Sequence, residues 1–505
     1  MLVLPRMVYI FLRDFVDLLV GQGSDSILDI TLSGAIKKTI SQRILTMINK
    51  DLTQYSKVFR EYTELRVQEN RNIRLAMVNG DLLNNSRTTI SGVSARVNKN
   101  GYWGFSSNPE LDDQTIKTVI DSATSNAQFI SSREKAKLVK LPCRIGNSEN
   151  DFTTAKPRNT QKEMIEYIRE LDDYIKSKLK KLTSRTIGVN VLDMEKSLFT
   201  YDGSTSHSMI PRSLAFVMMT VEKDNEPFEL YKLFGGFGQF EDNFENPATL
   251  FPKLNELYEH LIDKSEGIYP KVGNHDCILG ADLAGILAHE AIGHTTEADI
   301  VKGGSVAGEN LDRKVASELV TLVDFAHHMG GQLCPVPVFI DDEGTTGKDA
   351  VIIENGILKT FMNSKEYANH FDMELTGNAR AFAFYDEPLV RMRNTAILPG
   401  RSKLKDMIAS IDKGYYLMRS SNGQADSTSE FMFGVVLGYE IKNGKLGQAI
   451  KDTTISGVAF DMLKTVTMIS DDMSWGCGGM CGKKQWIPVG MGGPAIKCQV
   501  NIGGK

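Results

Sequence analysis

At 505 residues, with 41% hydrophobic and 24% charged side chains and a formal net charge of −5, the chain exceeds what one hydrophobic core usually supports, so two domains are expected. The balance is that of an ordinary globular protein, and the absence of a basic stripe with interleaved aromatics excludes a nucleic-acid surface. Six cysteines (Cys143, Cys277, Cys334, Cys477, Cys481 and Cys498) are too few and too irregular for a disulfide framework. Reduced thiols in a cytoplasmic protein are expected, with one available as a ligand.

Near the N-terminus the apolar run Met7 to Leu12 is broken by Arg13, Asp14 and Asp17. It is too short to span a membrane and no small-residue cleavage site follows. Residues 1–35 are read as an extension, either an amphipathic helix or translated upstream sequence, on an unanchored cytoplasmic protein. From Ile36 to Tyr62 apolar residues recur at helical steps. The period then shifts to two: Glu61 to Arg66, Ile73 to Asn79 and Thr88 to Val97 read as strands, punctuated by Asn-Gly turns at 79–80 and 100–101. Trp103, in the run that closes this β region, is either a packed aromatic at a strand end or the floor of a binding surface. Helices are expected over Asp112 to Phe129 and Gln161 to Leu182, and strands again from Arg185 to Phe234. Strands flanking two long helices define an α+β domain with a mixed or antiparallel sheet over residues 36–268. Gly235, Gly236 and Gly238 precede a helix expected over Ala248 to Ile262, but no Gly-Lys-Ser/Thr follows to make a phosphate loop.

The chemistry concentrates in His289-Glu290-Ala291-Ile292-Gly293-His294, in a chain with eight histidines. It lies on a helical run that starts near Ala281. Two neutral imidazoles on one short helix make a rigid half-site for zinc. Four-residue spacing separates such side chains by about 40° around an α-helix, whereas five-residue spacing gives about 140°. Shared ligation therefore requires a π-bulge or a break near Gly293, the residue that tolerates distortion most easily. Glu290, beside the first histidine, is placed to act as the base for an attacking water. A third protein ligand is needed from elsewhere, leaving the fourth position open.

Beyond this helix the sequence predicts a second helix over Lys314 to His328, ended by His327 and His328, which are read as favourable charges at its C-terminus in preference to ligands. Strands are expected over Val336 to Asp341, Ala350 to Glu354, Ile357 to Asn363, Leu389 to Thr395, Gly414 to Arg419, Phe431 to Ile441 and Gln448 to Ile455. Asn-Gly pairs at 355–356 and 443–444 mark hairpins. Residues 269–505 thus form a mainly antiparallel, barrel-like β domain carrying the helix of the metal site. Arg380, Arg391 and Arg393 are candidates for clamping a peptide carboxylate, for a structural role or for a dimer contact.

The segments HEAIGH (289–294), IDDEGTTG (340–347), IIENGILKTFMNSKEYA (352–368), RMRNTAILPG (391–400) and CGKKQWIPVGMGGP (481–494) resemble, in order, those of the TldD/PmbA family of metallopeptidases. The resemblance implies that His289, His294 and Cys481 hold Zn2+ and that Glu290 is catalytic. Cys477 is the local rival to Cys481, which is preferred because it alone opens the Cys-Gly-Lys segment. The resemblance further implies hydrolysis of peptides or unfolded small proteins within a homodimer, or a heterodimer with a paralogue lacking the metal motif, away from nucleic acid and membrane. The alternative is a non-catalytic peptide-binding or regulatory subunit with a structural metal. A serine or cysteine hydrolase is the weaker reading, because no Gly-x-Ser-x-Gly elbow is present and Cys481 has a better use.

Overall fold

The computed structural model describes residues 48, 50–134, 141–476 and 478–504. The expected extension over 1–35, and all but the end of the helix expected over 36–62, lie outside them. At that end Leu52–Val58 is a 3-10 helix. Among the described residues no helix is long and apolar enough to cross a membrane.

The N-terminal part is a sheet with two long helices on one face. Strands β1 (Tyr62–Val78), β2 (Asp81–Lys99) and β3 (Tyr102–Asn108) form consecutive hairpins. Their Asn-Gly turns have positive φ at both residues, 51° and 95° at Asn79 and Gly80, and 54° and 83° at Asn100 and Gly101. This is the twist that a two-residue hairpin requires. Helix α1 (Asp113–Arg133) follows, started by the Asp112 carboxylate, which accepts from the amides of Gln114 and Thr115. Next come β4 (Asn147–Asp151) and α2 (Gln161–Lys178), the latter opened by a Thr160/Glu163 capping box. Strands β5 (Leu182–Thr200), β6 (Thr205–Lys223) and β7 (Glu226–Phe237), then α3 (Phe251–Ser265), complete this part. The strand order is β3-β2-β1-β5-β6-β4, with β7 also on β6.

One sheet face holds the helices. Leu65, Val67 and Val93 pack on Ile116, Ile120 and Ala123 of α1, while Leu75, Met77 and Val189 pack on Ile168 and Leu171 of α2 and Leu257 of α3. Each of the larger apolar side chains contributes roughly 1.5–3 kcal/mol by leaving water.

The opposite face is polar and nevertheless buried, which explains why β1 runs unbroken through residues 67–72 where the sequence predicts a gap. Glu64, Arg66, Gln68 and Asn70 are all at most 3% exposed. They are covered by the segment 381–387. Arg66 donates to the carbonyls of Ala383 and Asp386, and Gln68 and Asn70 donate to that of Phe382. Lys196 reaches Asp342 and the carbonyl of Ala381. A buried strand normally announces itself by apolar residues, and here main-chain acceptors satisfy polar ones instead. Trp103 belongs to this layer. The Arg96 guanidinium lies 3.6 Å from its ring centre and its indole N–H donates to Glu366 at 3.1 Å.

The C-terminal part contains a closed barrel. Strand β8 (Gly273–Leu279) leads into α4 (Ala281–Ile286), then β9 (Leu322–Phe325), β10 (Ala350–Glu354) and β11 (Asn394–Ile397). Later come β12 (Lys413–Ala425), β13 (Glu430–Lys442), β14 (Thr453–Val458), β15 (Gly490–Gly493) and β16 (Ile496–Ile502). The order β12-β8-β16-β14-β13 closes on itself through β12–β13 pairing. Only β12–β8 is parallel among these contacts. The α+β class and the barrel-like, mainly antiparallel second half expected from sequence are therefore present.

The helix expected over Lys314 to His328 is absent, and the end of that stretch is β9. All four residues of β9 are buried, and it pairs with β10 and β11. Its Asp324 forms an ion pair at 2.8 Å with Arg393, both side chains being fully buried. The run Val320-Thr321-Leu322-Val323 favours a pleated, doubly covered strand over a helix. His327 and His328 consequently cap no helix; His327 stacks on Phe339 at 4.7 Å. Residues 336–341 also carry no regular strand, only an isolated bridge between Ile340 and Thr346.

The polar layer leads to a pH prediction. Arg96 donates to Glu64 at 3.2 Å and to Glu343 at 2.7 Å. Burial, reinforced by Glu343 and opposed by Arg96 and Lys365, pushes the Glu64 carboxyl from 4.5 up to about 7. A value raised on folding means that the protonated form supports the fold. Its contribution is complete below about 4.5 and is lost as pH rises through about 7. Glu64→Gln, a neutral isostere, is expected to flatten the pH dependence of stability across that window and to exceed the parent at about pH 8. Urea denaturation at a series of pH values measures this; identical slopes for the two proteins would contradict it.

Candidate metal centre

The histidine stretch is wound as the spacing requires. After α4 the chain continues as a π-helix over Leu287–Gly293, and the amide of His294 donates to the carbonyl of His289, five residues back. This repeat brings both imidazoles to one side, with ring centres 5.2 Å apart. The winding then tightens into a 3-10 turn over His294–Thr296. The carbonyls that this change of pitch leaves without partners are taken up by side chains. Thr295 donates to the carbonyl of Ile292 at 2.9 Å, and Thr296 to those of Ile292 and Gly293 at 2.8 and 3.0 Å.

Gly293 serves by its size rather than by backbone freedom. Its φ and ψ are −56° and −55°, ordinary right-handed values open to any residue. A Cβ there would lie 2.1 Å from the sulfur of Met392. Gly285, one helical stretch earlier, similarly lets the helix approach the backbone of β15, where a Cβ would meet the Gly492 nitrogen at 3.0 Å.

Cys481 arrives from the far end of the chain, on a two-residue strand paired with Ile487–Pro488. Its Sγ lies 3.4 Å from Nε2 of His294. Donor atoms of His289, His294 and Cys481 all fall within 4.8 Å of one another. The cysteine loop is pinned from below by Arg391, which is fully buried and donates to the carbonyls of Cys481, Lys483 and Gln485. Arg380 donates to the carbonyls of Met392 and Pro488. The three arginines raised as candidate carboxylate clamps are thus engaged with main chain and with Asp324. Cys477, the rival cysteine, lies outside the described residues.

The electrostatics match a cation-binding triad. Burial would raise the Cys481 thiol, but the two imidazoles beside it outweigh that and hold it down to about 4, so it is a thiolate at neutral pH. His289 is completely buried beside the Cys481 thiolate, and no oxygen or nitrogen atom satisfies its ring. Two imidazole nitrogens and a thiolate are a donor set that suits zinc. Glu290 is half-buried beside them, its Oε2 3.7 Å from Nε2 of His294.

The sequence pattern does not single out the residues behind the triad. Glu297 accepts from Nδ1 of His294 at 2.8 Å and lies 3.2 Å from Nζ of Lys483. Burial works against its ionisation, yet Lys483 and His294 bring its carboxyl down to about 2. For His294, burial works in the same opposing sense, and Glu297 and Cys481 prevail to raise its pKa well above the ordinary value. The three-residue step from His294 to Glu297 is the only local signal.

Residues 272–504 match the family model described as the PmbA/TldA metallopeptidase C-terminal domain, and residues 63–127 match domain 1 of the same family. A metalloprotease of Methanocaldococcus jannaschii is 33% identical over 86% of this chain and 96% of its own length. A zinc metalloprotease TldD homolog of Saccharolobus solfataricus is 30% identical over 82% of this chain and 90% of its own. The crystal structure of TldE from Thermococcus kodakarensis superposes with a TM-score of 0.70 at 19% identity, covering 90% of this chain and 99% of that one. The fold and the matched domains are those of a metallopeptidase family. This chain belongs to the TldD/PmbA family.

The tight fit at Gly293 gives a direct test of the local winding. Gly293→Ala is expected to cost about 1–3 kcal/mol, the usual penalty for overpacking a filled interior. Chemical denaturation of the purified variant reads the loss, and a variant as stable as the parent would refute the close approach to Met392.

Proposed function

We propose that this protein is a zinc-dependent peptidase acting on peptides or unfolded small proteins, with zinc held by His289, His294 and Cys481 and with Glu290 as the base. The observation that carries the reading is the convergence of three donors, two of them buried and one half-buried, next to a carboxylate still open to solvent on the same helical turn. Bound zinc would supply Lewis acidity, polarising a carbonyl and acidifying water. The rest belongs to the chain. Glu290 takes the proton of the attacking water and returns it to the departing amine. Arg391 fixes the cysteine loop through the carbonyls of Cys481, Lys483 and Gln485. The names of the relatives support the same activity, and one of them specifies zinc.

The proposal includes a cytoplasmic dimer, formed with a second copy or with a paralogue lacking the metal motif, and a division into the parts 36–268 and 269–505. The division is supported by the break between α3, which ends at Ser265, and β8, which starts at Gly273.

Three variants test the assignment. Glu290→Gln is expected to retain stoichiometric zinc while hydrolysis of a denatured test protein falls about 10²–10⁴-fold. Cys481→Ala is expected to lose most of the zinc, and Cys477→Ala to keep it. Metal content by mass spectrometry and peptide mapping, with and without chelator, provide the readouts. Zinc bound by the parent without any hydrolysis would instead favour a regulatory subunit with a structural metal, and full activity in Glu290→Gln would remove its role.

A further inference from the structure

We infer that Glu297 and Lys483 are positioning residues that lock the two halves of the centre together, Glu297 orienting the ring of His294 and Lys483 tying Glu297 to the cysteine loop. This rests on the metal-site reading above and assigns the residues that make the site rigid.

The halves come from segments 187 residues apart, and packing alone would leave the ring of His294 free to tilt or flip. Its Nδ1 faces Oε2 of Glu297 at 2.8 Å. A carboxylate only accepts, so Nδ1 keeps its proton and Nε2, on the Cys481 side of the ring, is the nitrogen left for a metal. Glu297 is itself fixed. It is 0% exposed, its main chain bridges Met362, and the amide of the next residue, Ala298, donates to the carbonyl of Met362 at 2.9 Å.

Lys483 makes the connection across the gap. Its Nζ lies 3.2 Å from the same Oε2 and 2.6 Å from Asp299, and donates to the carbonyl of Val390 at 3.0 Å. It stands two residues after Cys481, and its own carbonyl accepts from Arg391 at 2.9 Å. One carboxylate oxygen therefore touches the ring of the histidine half and the ammonium of the cysteine half. A purely structural ion pair would be satisfied by Lys483 with Asp299; the sharing of Oε2 with Nδ1 is what it would not require. Carboxylates in this relation to a ligating imidazole fix its tautomer and raise its basicity, and their loss typically weakens metal binding 10–100-fold.

The test uses the full chain in three forms: Glu297→Gln, Glu297→Asp, and the double variant Glu297→Gln/Lys483→Met, which strands no buried lysine charge. Zinc affinity is measured by chelator competition, the ligand field by the absorption spectrum of the cobalt-substituted protein, and fold integrity by thermal unfolding after chelation. Glu297→Gln is expected to bind zinc about 10–100-fold more weakly with an altered cobalt spectrum, and its chelated form to melt close to the chelated parent. Glu297→Asp should recover part of the affinity. Parent-like zinc affinity and cobalt spectrum in Glu297→Gln would overturn the inference, as would the same result in the double variant should the single one not fold. Failure of the underlying reading would show differently, as a parent that binds no zinc or a Cys481→Ala variant that keeps it.

Discussion

The hydrogen bond from the amide of His294 to the carbonyl of His289 is the contact on which the centre depends. With four-residue bonding the two rings would diverge; with five-residue bonding they share a face. A π-turn is intrinsically less favourable than the α-helix it interrupts, so other interactions must hold it. Leu287, Ala288, Ala291 and Ile292 are fully buried in the main core of the C-terminal part, which fixes the helix rotation from the side away from the histidines. Met392 closes over Gly293 and leaves no space for a different path. The two threonine hydroxyls then satisfy carbonyls released where the pitch changes. Sequence, packing and geometry agree at each of these positions, which is the consistency that specifies one local structure.

A second constraint is the amount of charge taken out of water around the site. Arg391, Arg393 and Lys365 are fully buried, and Arg66 and Arg96 nearly so. Isolated, each would be expensive; paired with carboxylates and main-chain carbonyls they become supports with fixed geometry. They also form a physical sequence of contacts. The polar face of the first sheet holds the segment 381–387, Gln485 joins that segment by accepting from the amide of Phe382 and donating to the carbonyl of Glu387, and Arg391 joins Gln485 to Cys481. The N-terminal sheet thereby buttresses the loop that carries the thiolate.

Much of this was legible in the sequence, and the parts that were not share a cause. The hairpins were readable because Asn-Gly pairs force one turn geometry, and the helices because apolar residues recur at helical steps beside capping residues. The bulge was readable because five-residue spacing admits few alternatives. The centre of β1 was hidden because its buried side chains are polar and their partners lie some 310 residues away. The same holds for β9, whose Asp324 breaks an apolar run in order to hold Arg393. Arg391 was invisible in role because what it binds is backbone, which leaves no residue pattern, and Lys483 because its carboxylate partners lie far away in the chain. Local chemistry writes itself into a sequence; satisfaction by distant main chain does not.

That asymmetry bears on how such a site comes into being. His289 and His294 sit on a helix that could form early, but the thiolate reaches them only when the cysteine hairpin docks. This in turn needs Arg391, the strap at 381–387 and the sheet beneath it in place. A donor set split this way cannot exist in a partly folded chain, so any free energy of metal binding is also free energy of closing the fold around it. The fully buried ring of His289 sharpens the point, because the place a cation would take beside it is formed only once the cysteine loop has docked. Binding and folding are thus coupled through all three donors, which meet only when the two halves are brought together.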